Sequence, residues 1–546
     1  MKGLMQNGPL RVASILDYAA REHGEVEVVS REPDGSRSRV TYGQVSERAR
    51  RLACSLSDAG LRPFDRVATL AMNTHRHLEL QYACAGAGLI WHPINPRLPT
   101  DQIDYVINHA EDAVLFFELA FRPLIERIVA NVKSVRFFVE MNGAAEGGDL
   151  SRPLLRFESL IEAGSSDFEW VAVDEGDASS LSYTSGTTGY PKGVLYSNRS
   201  DVLHALTVCS GNGLAISAQD CVMPITPMFH ANGAWGLTHA APMAGAKLVL
   251  PGGKMDADSL AQMIWGERVT VSGGVPTIAS ALMAKFTADP RGAGSLKRFV
   301  LAGSAPSLAL IRQLEELGVD VLHIWGMTET SPTGTAPVRS GEDKAPDTLE
   351  AKLSQGRPVY GVEMRTLSEA GAVVPRDGVS QGRLQVRGPW VVQGYFRDDK
   401  PTVDAHGWFD TGDLATIESR GRIRLTDRAK DVIKSGGEWI SSIDLENTVA
   451  GCPGVEACAV VGVVHPRWEE RPLLLVVRSR QSEISAEAIS NYLKDRVAKW
   501  WMPDAILFVD DLPIGATGKV LKSKLRKEFS NYLLAQTGIS DNATTP

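Results

Sequence analysis

Tyr183-Thr184-Ser185-Gly186-Thr187-Thr188-Gly189-Tyr190-Pro191-Lys192-Gly193 decides how this chain is read. The stretch packs four Ser/Thr hydroxyls, three glycines and one lysine around a single proline. Glycines let a backbone turn back on itself and bring N–H groups close to an anion. The hydroxyls add donors, and Lys192 adds a positive charge. Together these describe a loop that grips phosphate. It is not a Walker A loop, whose G-x-x-x-x-G-K-[ST] spacing sets a Ser or Thr directly after the lysine. A lone Gly/Ser/Thr tract is as often a plain polar turn, but the order and density of donors here favour anion binding.

Outward from that loop, 546 residues are too many for one ordinary core, so several subdomains are expected. A hydrophobic content of 43% and a charged content of 22% are those of a globular protein in water. The net charge of −8 argues against a general nucleic-acid binder and requires any anion site to be locally positive. Six cysteines, Cys54, Cys84, Cys209, Cys221, Cys452 and Cys458, lack C-x-x-C spacing. They read as buried small apolar residues in a reducing compartment, not as a disulfide frame or zinc site. Met1 to Leu10 has no apolar signal region, and no run approaches the ~18 apolar residues of a membrane span. A cytoplasmic protein without membrane attachment is expected.

Hydrophobic periodicity predicts helices over Val12–Gly24 and Gly43–Gly60, the second with Val45, Ala49, Leu52, Ala53 and Leu56 on one face. Asp65–Met72 reads as a buried strand, followed by a helix carrying His77, Leu78, Leu80 and Ala83. Ala85-Gly86-Ala87-Gly88 lies at the end of that helical pattern, so it is not a dinucleotide-binding turn. Strand-like Trp91–Asn95 and Ala113–Phe117 alternate with helical segments, which is an α/β texture. Past the phosphate loop the alternation resumes: helix over Ser259–Glu267, strand over Val269–Ser272, helix over Thr277–Phe286. Phe299–Ala302 and Val321–Trp325 are further buried strands ending in Gly-containing turns. From Gly356 short β pieces take over, at Glu363–Thr366, Gly382–Val386 and Gly421–Leu425. Beyond Asp427-Arg428-Ala429-Lys430, strands over Ala457–Val464 and Leu473–Val477 mix with helices over Ala486–Ala498 and Lys522–Leu534. This predicts an α/β protein: a large N-terminal domain over 1–427 with α/β layers and a small β subdomain, then a small mobile α+β domain over 428–546. The hinge falls near Lys430. No internal repeat is visible, and Gln536–Pro546 reads as a disordered tail.

Further stretches along the chain carry chemistry. They are Pro227-Met228-Phe229-His230-Ala231-Asn232-Gly233, Leu301-Ala302-Gly303-Ser304-Ala305-Pro306, Trp325-Gly326-Met327-Thr328-Glu329-Thr330-Ser331-Pro332, and Gly407-Trp408-Phe409-Asp410-Thr411-Gly412-Asp413-Leu414. Lys434-Ser435-Gly436-Gly437-Glu438-Trp439-Ile440-Ser441 and Gly515-Ala516-Thr517-Gly518-Lys519 complete the set. Taken singly, each admits a plainer reading. His230 alone would be a loop histidine, Ser304 and Ser307 could mark a helix start, Thr-Gly-Asp is a common turn, and Lys519 could be a solvated surface lysine. In this order, and with the phosphate loop, they resemble the adenylate-forming superfamily of acyl-CoA synthetases, firefly luciferase and peptide-synthetase adenylation domains. The resemblance covers nearly the whole chain. Trp325 stands where Tyr is commoner, and either ring can stack on adenine. His323 is less usual at the position that meets the adenine amino group.

The resemblance implies an enzyme that activates a carboxylate as acyl-AMP with ATP and Mg2+, then transfers it to CoA. Thr184, Ser185, Gly186, Thr187, Thr188, Gly189 and Lys192 would bind the phosphates. Gly303, Ser304, Ala305 and Pro306, with His323, Ile324, Trp325, Gly326 and Met327, would border adenine. Asp413, reinforced by Arg428 and with Ile423 nearby, would bind ribose. Glu329 and Thr184 would hold Mg2+, a hard cation that seeks oxygen ligands, and Thr328 would donate to the α-phosphate. Lys519 would enter during adenylation, where an ammonium stabilises the charge that develops in the transition state. After rotation of the last domain, Lys434, Gly436, Gly437, Glu438 and Trp439 would replace it and admit CoA, with Gly437 keeping the pantetheine channel open. His230 would lie between the reacting carboxylate and that channel.

His230, Trp235, Gly303, Gly326, Met327 and Pro332 are the acyl-pocket candidates. Acetate-activating relatives carry Trp at the position of Gly326, so a deeper pocket is expected, with Trp235 as its cap and a chain of roughly three to ten heavy atoms. His465-Pro466-Arg467-Trp468-Glu469-Glu470-Arg471-Pro472, with the Lys434–Ser441 stretch, is most similar to the bacterial medium-chain branch. Within that branch it is similar to ligases for 3-(methylthio)propanoate, a product of dimethylsulfoniopropionate breakdown. The alternatives are a general medium-chain fatty acid ligase, an enzyme that loads a carrier protein, an oxygenase of the luciferase type, and an inactive nucleotide- or CoA-binding regulator. No carrier domain follows residue 534, and Lys519 and Glu329 disfavour the regulator. The family also makes a homodimer the expected assembly, with no nucleic-acid partner.

Overall fold

Val67, Ala68, Thr69 and Leu70 are all fully buried, the pattern of a strand covered by helices on both faces. Val67 joins one apolar cluster, whereas Ala68 and Leu70 join another on the opposite face. The structure, a computed structural model, describes residues 1, 3–143, 150–184, 190–231, 236–337, 352–436, 438–480, 482–515 and 519–536. In it Arg66–Leu70 is the centre of a seven-stranded sheet ordered 154–156, 137–140, 112–117, 66–70, 90–93, 178–184, 192–197. Only the last pair is antiparallel.

A second seven-stranded sheet is ordered 320–323, 298–301, 271–274, 221–224, 247–250, 27–31, 37–41, again antiparallel only in its last pair. Each sheet is five parallel strands in the spatial order fifth, fourth, third, first, second, closed by a hairpin. The chain thus repeats one topology twice, although its sequence shows no repeat. A four-stranded antiparallel sheet (363–367, 382–387, 409–417, 423–428) forms the small β unit, and a five-stranded sheet organises the terminal part.

Local chemistry accounts for most element ends. The helix Tyr42–Asp58 starts at a Thr41/Gln44 capping box and buries Val45, Ala49, Leu52, Ala53 and Leu56, the face expected. His75–Ala87 ends on Gly88, whose φ of 70° closes the helix. Ala85–Gly88 is therefore a helix end. A β-carbon at Gly86 would overlap the Trp170 ring, which explains that glycine by packing.

Some expectations need correction. The strand expected over Val269–Ser272 runs over Val271–Gly274. Arg268 ends the preceding helix in the left-handed region (φ 59°), and the Val269 N–H is used up on the Ile264 carbonyl. The helix expected to reach Ala498 stops at Leu493, where Arg496 and Val497 both donate to the Leu493 carbonyl. The last helix is two, Lys522–Phe529 and Tyr532–Gln536, broken where Val464 N–H reaches the Ser530 carbonyl. Gln536 is thus helical, and 537–546 lie outside the described residues. Thr411-Gly412-Asp413 lies within the strand Phe409–Ile417, with Gly412 at φ 71° where the register against 382–387 shifts. That long strand is absent from the sequence-based reading. All six cysteines are free, as expected, but Cys54, Cys209 and Cys458 are only half-buried. No helix among the described residues is long and apolar enough to cross a membrane.

Candidate active site

The parallel strands of the second sheet bring Pro224, Gly274, Leu301 and His323 to one edge, because neighbouring residues pair in register across it. Carboxyl ends of parallel strands are where such sheets present ligand-binding groups. The chain leaving these ends carries His230, Gly303 and Trp325. Asn73 fixes the first exit: its amide donates to the carbonyls of Pro224 and Thr226, and its oxygen accepts from Met228 N–H at 2.7 Å. At the second exit Gly303 sits at φ 89°, Ser304 is exposed, Ala305 is half-buried and Pro306 is buried. Ser307, not Ser304, caps the following helix.

The Gly/Ser/Thr-rich loop expected to bind phosphate joins two antiparallel strands, Ala178–Thr184 and Lys192–Ser197, with Thr184 paired to Lys192. It is a hairpin loop and does not open a helix, which separates it structurally from a Walker A loop. Both shoulders are held. Tyr183 shares a 2.6 Å hydrogen bond with His109, and Tyr190 stacks on Tyr105 at 4.4 Å. Ser185, Gly186, Thr187, Thr188 and Gly189 lie outside the described residues, as do Trp235, Gly437 and the Ala516–Gly518 part of the lysine loop.

Glu329 is buried, with 7% of its surface exposed. Tyr395 Oη donates to its Oε1 at 2.9 Å, Val392 N–H donates to its carbonyl, and Tyr196 Oη donates to the Thr328 carbonyl at 2.6 Å. Burial pushes the Glu329 pKa up, and the Tyr395 hydrogen bond opposes that. Among the described residues no Lys or Arg forms an ion pair with it. A buried carboxylate without a cationic partner, near phosphate-binding groups, fits a hard divalent cation.

Asp413 has both oxygens engaged. Trp325 Nε1 donates to Oδ2 at 2.9 Å, and Arg428, its cross-strand neighbour, lies 3.4 Å from Oδ1. Burial raises its pKa, while Arg428 and the indole donor counter that. Trp325 is only 5% exposed, so much of the ring expected to stack on adenine is committed to the core, against Gly334 and Met364. Lys519 meets this group from the terminal part of the chain. A β-carbon at Gly303 would be 3.8 Å from Lys519 Cε, and Asp413, Arg428, Lys430 and His230 all feel its charge. Burial lowers the Lys519 pKa to about 8, helped by Arg428. Burial, with Arg97 and Lys519 nearby, lowers the His230 pKa to about 4, so the imidazole is neutral at pH 7.

Other expected residues have different surroundings. His323 is 4% exposed, its ring facing the Lys352 carbonyl and Gln355. Ile423 is buried in the core of the β unit, and Met327 is half-buried. A β-carbon at Gly326 would overlap the Pro332 carbonyl oxygen, where Gly326 bridges to Thr333. In this backbone, glycine at 326 is required by a close backbone approach. Lys434 and Trp439 lie on a hairpin whose Gly436, at φ 60°, packs against the Trp468 ring. Lys434 pairs with Glu369 at 3.8 Å. Among the described residues, no hydrogen bond or ion pair joins this hairpin to Asp413 or Lys519.

Nothing in the sequence singles out Tyr395, Tyr196, Asn73 or Arg97. None stands in a stretch with its own chemical signature, and only packing reveals their partners.

A duplicated α/β body with a Gly/Ser/Thr-rich hairpin loop, a buried carboxylate and a lysine delivered from the far end of the chain is the arrangement that the resemblance to adenylate-forming enzymes leads one to expect. The family described as AMP-binding enzyme matches residues 16–396, and the AMP-binding enzyme C-terminal domain matches residues 444–519. The chain is 46% identical over 539 residues to a medium-chain-fatty-acid–CoA ligase of Ectopseudomonas oleovorans, covering 98% of each. It is also 46% identical over 538 residues to a 3-methylmercaptopropionyl-CoA ligase of Ruegeria lacuscaerulensis, covering 98% of this chain and 100% of that protein. The crystal structure of the anthranilate CoA ligase AuaEII in complex with anthranoyl-AMP superposes with a TM-score of 0.86 at 26% identity, covering 98% of this chain and 100% of that one. The chain belongs to the AMP-binding enzyme family, and it is an AMP-forming acyl-CoA ligase.

Proposed function

We propose that this ligase acts on a short- or medium-chain carboxylic acid, foremost 3-(methylthio)propanoate, and forms its CoA thioester through an acyl-AMP. The observation that carries the reading is the meeting of Lys519 with Gly303, Asp413 and Arg428. Lys519 supplies positive charge where the attacking carboxylate and the α-phosphoryl group develop charge. Asp413 accepts from the ribose hydroxyls while Arg428 and Trp325 hold it charged and in place. Lys192 and the hairpin loop bind the phosphates, and Thr328 donates to the α-phosphate. Glu329 and Thr184 would hold Mg2+, which supplies charge neutralisation on the phosphate oxygens. Neutral His230 shapes the passage between the acyl group and incoming thiol. These groups also weigh against an inactive regulator, which would have no use for a lysine so positioned.

Release of pyrophosphate separates two half-reactions. Rotation about Lys430 of 428–546 against 1–427 would then exchange Lys519 for the hairpin bearing Lys434, Gly436 and Trp439. A cytoplasmic homodimer belongs to the same proposal, and light scattering of the purified protein tests the assembly.

The equal identity to a medium-chain fatty acid ligase favours a second reading, in which saturated acids are the better substrates. A panel of acetate, butyrate, hexanoate, octanoate, benzoate and 3-(methylthio)propanoate in an ATP- and CoA-dependent AMP-release assay decides. The highest kcat/KM on 3-(methylthio)propanoate supports the first reading, and on hexanoate or octanoate the second. AMP release with none of these acids overturns both.

A further inference from the structure

Residues 392–398 form a strap between two parts of the site that are distant in sequence. Val392 N–H donates to the Glu329 carbonyl at 2.8 Å, and Phe396 N–H donates to the Gly193 carbonyl at 2.8 Å. Tyr395 lies between these two anchors and touches both sides through its ring. Its hydroxyl donates to Glu329 Oε1 at 2.9 Å, and its ring face receives the Lys192 ammonium at 4.5 Å from the centroid. Asp398, at the far end of the strap, lies 3.9 Å from Lys192 Nζ. The phosphate-loop lysine and the buried carboxylate are therefore both held by one phenol ring.

Each contact has a separate physical effect. A phenol O–H donated to a buried carboxylate orients it and favours its ionised form. It engages Oε1 and thereby fixes the direction in which Oε2 points. A cation over an aromatic face is held without the hydrogen bonds a carboxylate would demand. The lysine can then keep its donors for phosphate, even though about half of its side chain is exposed.

We infer that Tyr395 is a positioning residue that couples the phosphate-binding lysine Lys192 to the metal-binding carboxylate Glu329. This rests on the proposed nucleotide site but goes beyond it, since it assigns a role to a residue outside the site motifs. The two contacts are separable by substitution. Tyr395→Phe removes the hydroxyl and keeps the ring, whereas Tyr395→Leu removes both.

The test is equilibrium binding of the non-hydrolysable α,β-methylene ATP by calorimetry, with and without Mg2+, on the full-length protein and both variants, with thermal melts alongside. In Tyr395→Phe, binding without Mg2+ should match the native protein, while the Mg2+ concentration giving half the metal-dependent tightening should rise about tenfold or more, the usual cost of losing a partner of a metal ligand. In Tyr395→Leu the metal-free affinity should fall as well, by about three- to tenfold. A Tyr395→Phe variant with native Mg2+ dependence overturns the coupling. So does a Tyr395→Phe variant that loses metal-free and metal-dependent binding equally, because that is the mark of general damage to the site. If the native protein fails to bind the analogue with Mg2+, the nucleotide site itself is wrong, and that outcome is distinguishable from the other two.

Discussion

Lys519 and Trp325 each carry a consequence that can be measured one residue at a time. Burial and neighbouring Arg428 lower the Lys519 pKa to about 8, so its ammonium is present below that pH and lost above it. Acyl-AMP formation in a single turnover should therefore fall as pH rises through about 8. Lys519→Arg keeps its charge at any such pH and should remove that limb, even at a lower maximal rate. The same lowered pKa means that the folded state holds a charged lysine less readily than the unfolded chain does. This group's contribution to stability thus improves from pH 8 upward. Trp325→Phe keeps a ring in the core but deletes the donor to Asp413 Oδ2. With that buried oxygen left unpaired, AMP binding should weaken by about 1–2 kcal/mol. Calorimetry checks this, and unchanged affinity would mean that the indole N–H has no part in holding the ribose carboxylate.

At the scale of elements, the turn from Trp325 to Thr335 depends on two backbone segments lying almost in contact. Gly326 bridges to Thr333, and Trp325 N–H is bonded to Thr335 Oγ1 at 2.9 Å. Gly326→Ala forces the 332–334 backbone to move, which should cost about 1–3 kcal/mol of stability, as overpacking does. Activity should fall on all chain lengths alike, because the displaced turn carries Thr328 and Glu329. A calorimetric melt and the carboxylate panel provide the check. A native Tm would overturn the close-approach reading, and an altered chain-length preference would mark the glycine as a pocket determinant.

Across the whole molecule, the terminal part of the chain is docked so that Lys519 lies beside Gly303 and Asp413 and the Lys434 hairpin pairs elsewhere, with Glu369. Polar and charged contacts take part in that docking. Arg424 pairs with Asp444 at 2.9 Å, Lys434 with Glu369 at 3.8 Å, and Asp427 accepts from Ser442 N–H and Oγ. Such contacts can be exchanged, whereas a continuous apolar core could not. Lys519→Ala should slow acyl-AMP formation by about 10²–10³-fold and leave thioester formation from supplied acyl-AMP nearly unchanged. Lys430→Pro should do the reverse. Among the described residues the Lys430 N–H donates to nothing, so proline removes no hydrogen bond but fixes φ near about −65° and restricts Ala429. Single-turnover measurements of each half-reaction on both variants decide, and equal slowing of both steps would refute rotation about Lys430.

The sequence by itself determined what is contiguous. The hydroxyl-rich hairpin loop, the Trp325–Pro332 and Gly407–Leu414 stretches and the Lys519 loop each concentrate their chemistry within about ten residues. The helices Tyr42–Asp58 and His75–Ala87 follow from periodicity and from caps at Thr41 and Gly88. Propensity, capping and turn chemistry act over a few residues, so one chain of letters records them. Only the tertiary structure decided that Trp325 is held by Asp413 and that Tyr395 joins Glu329 to Lys192. It also decided the repeated topology of the two sheets, which two unrelated sets of apolar residues satisfy equally well because strand order depends on which faces are buried and not on which side chains bury them. These contacts join residues far apart in the chain, and their free energy exists only once the sheets have packed and water has left the space between them.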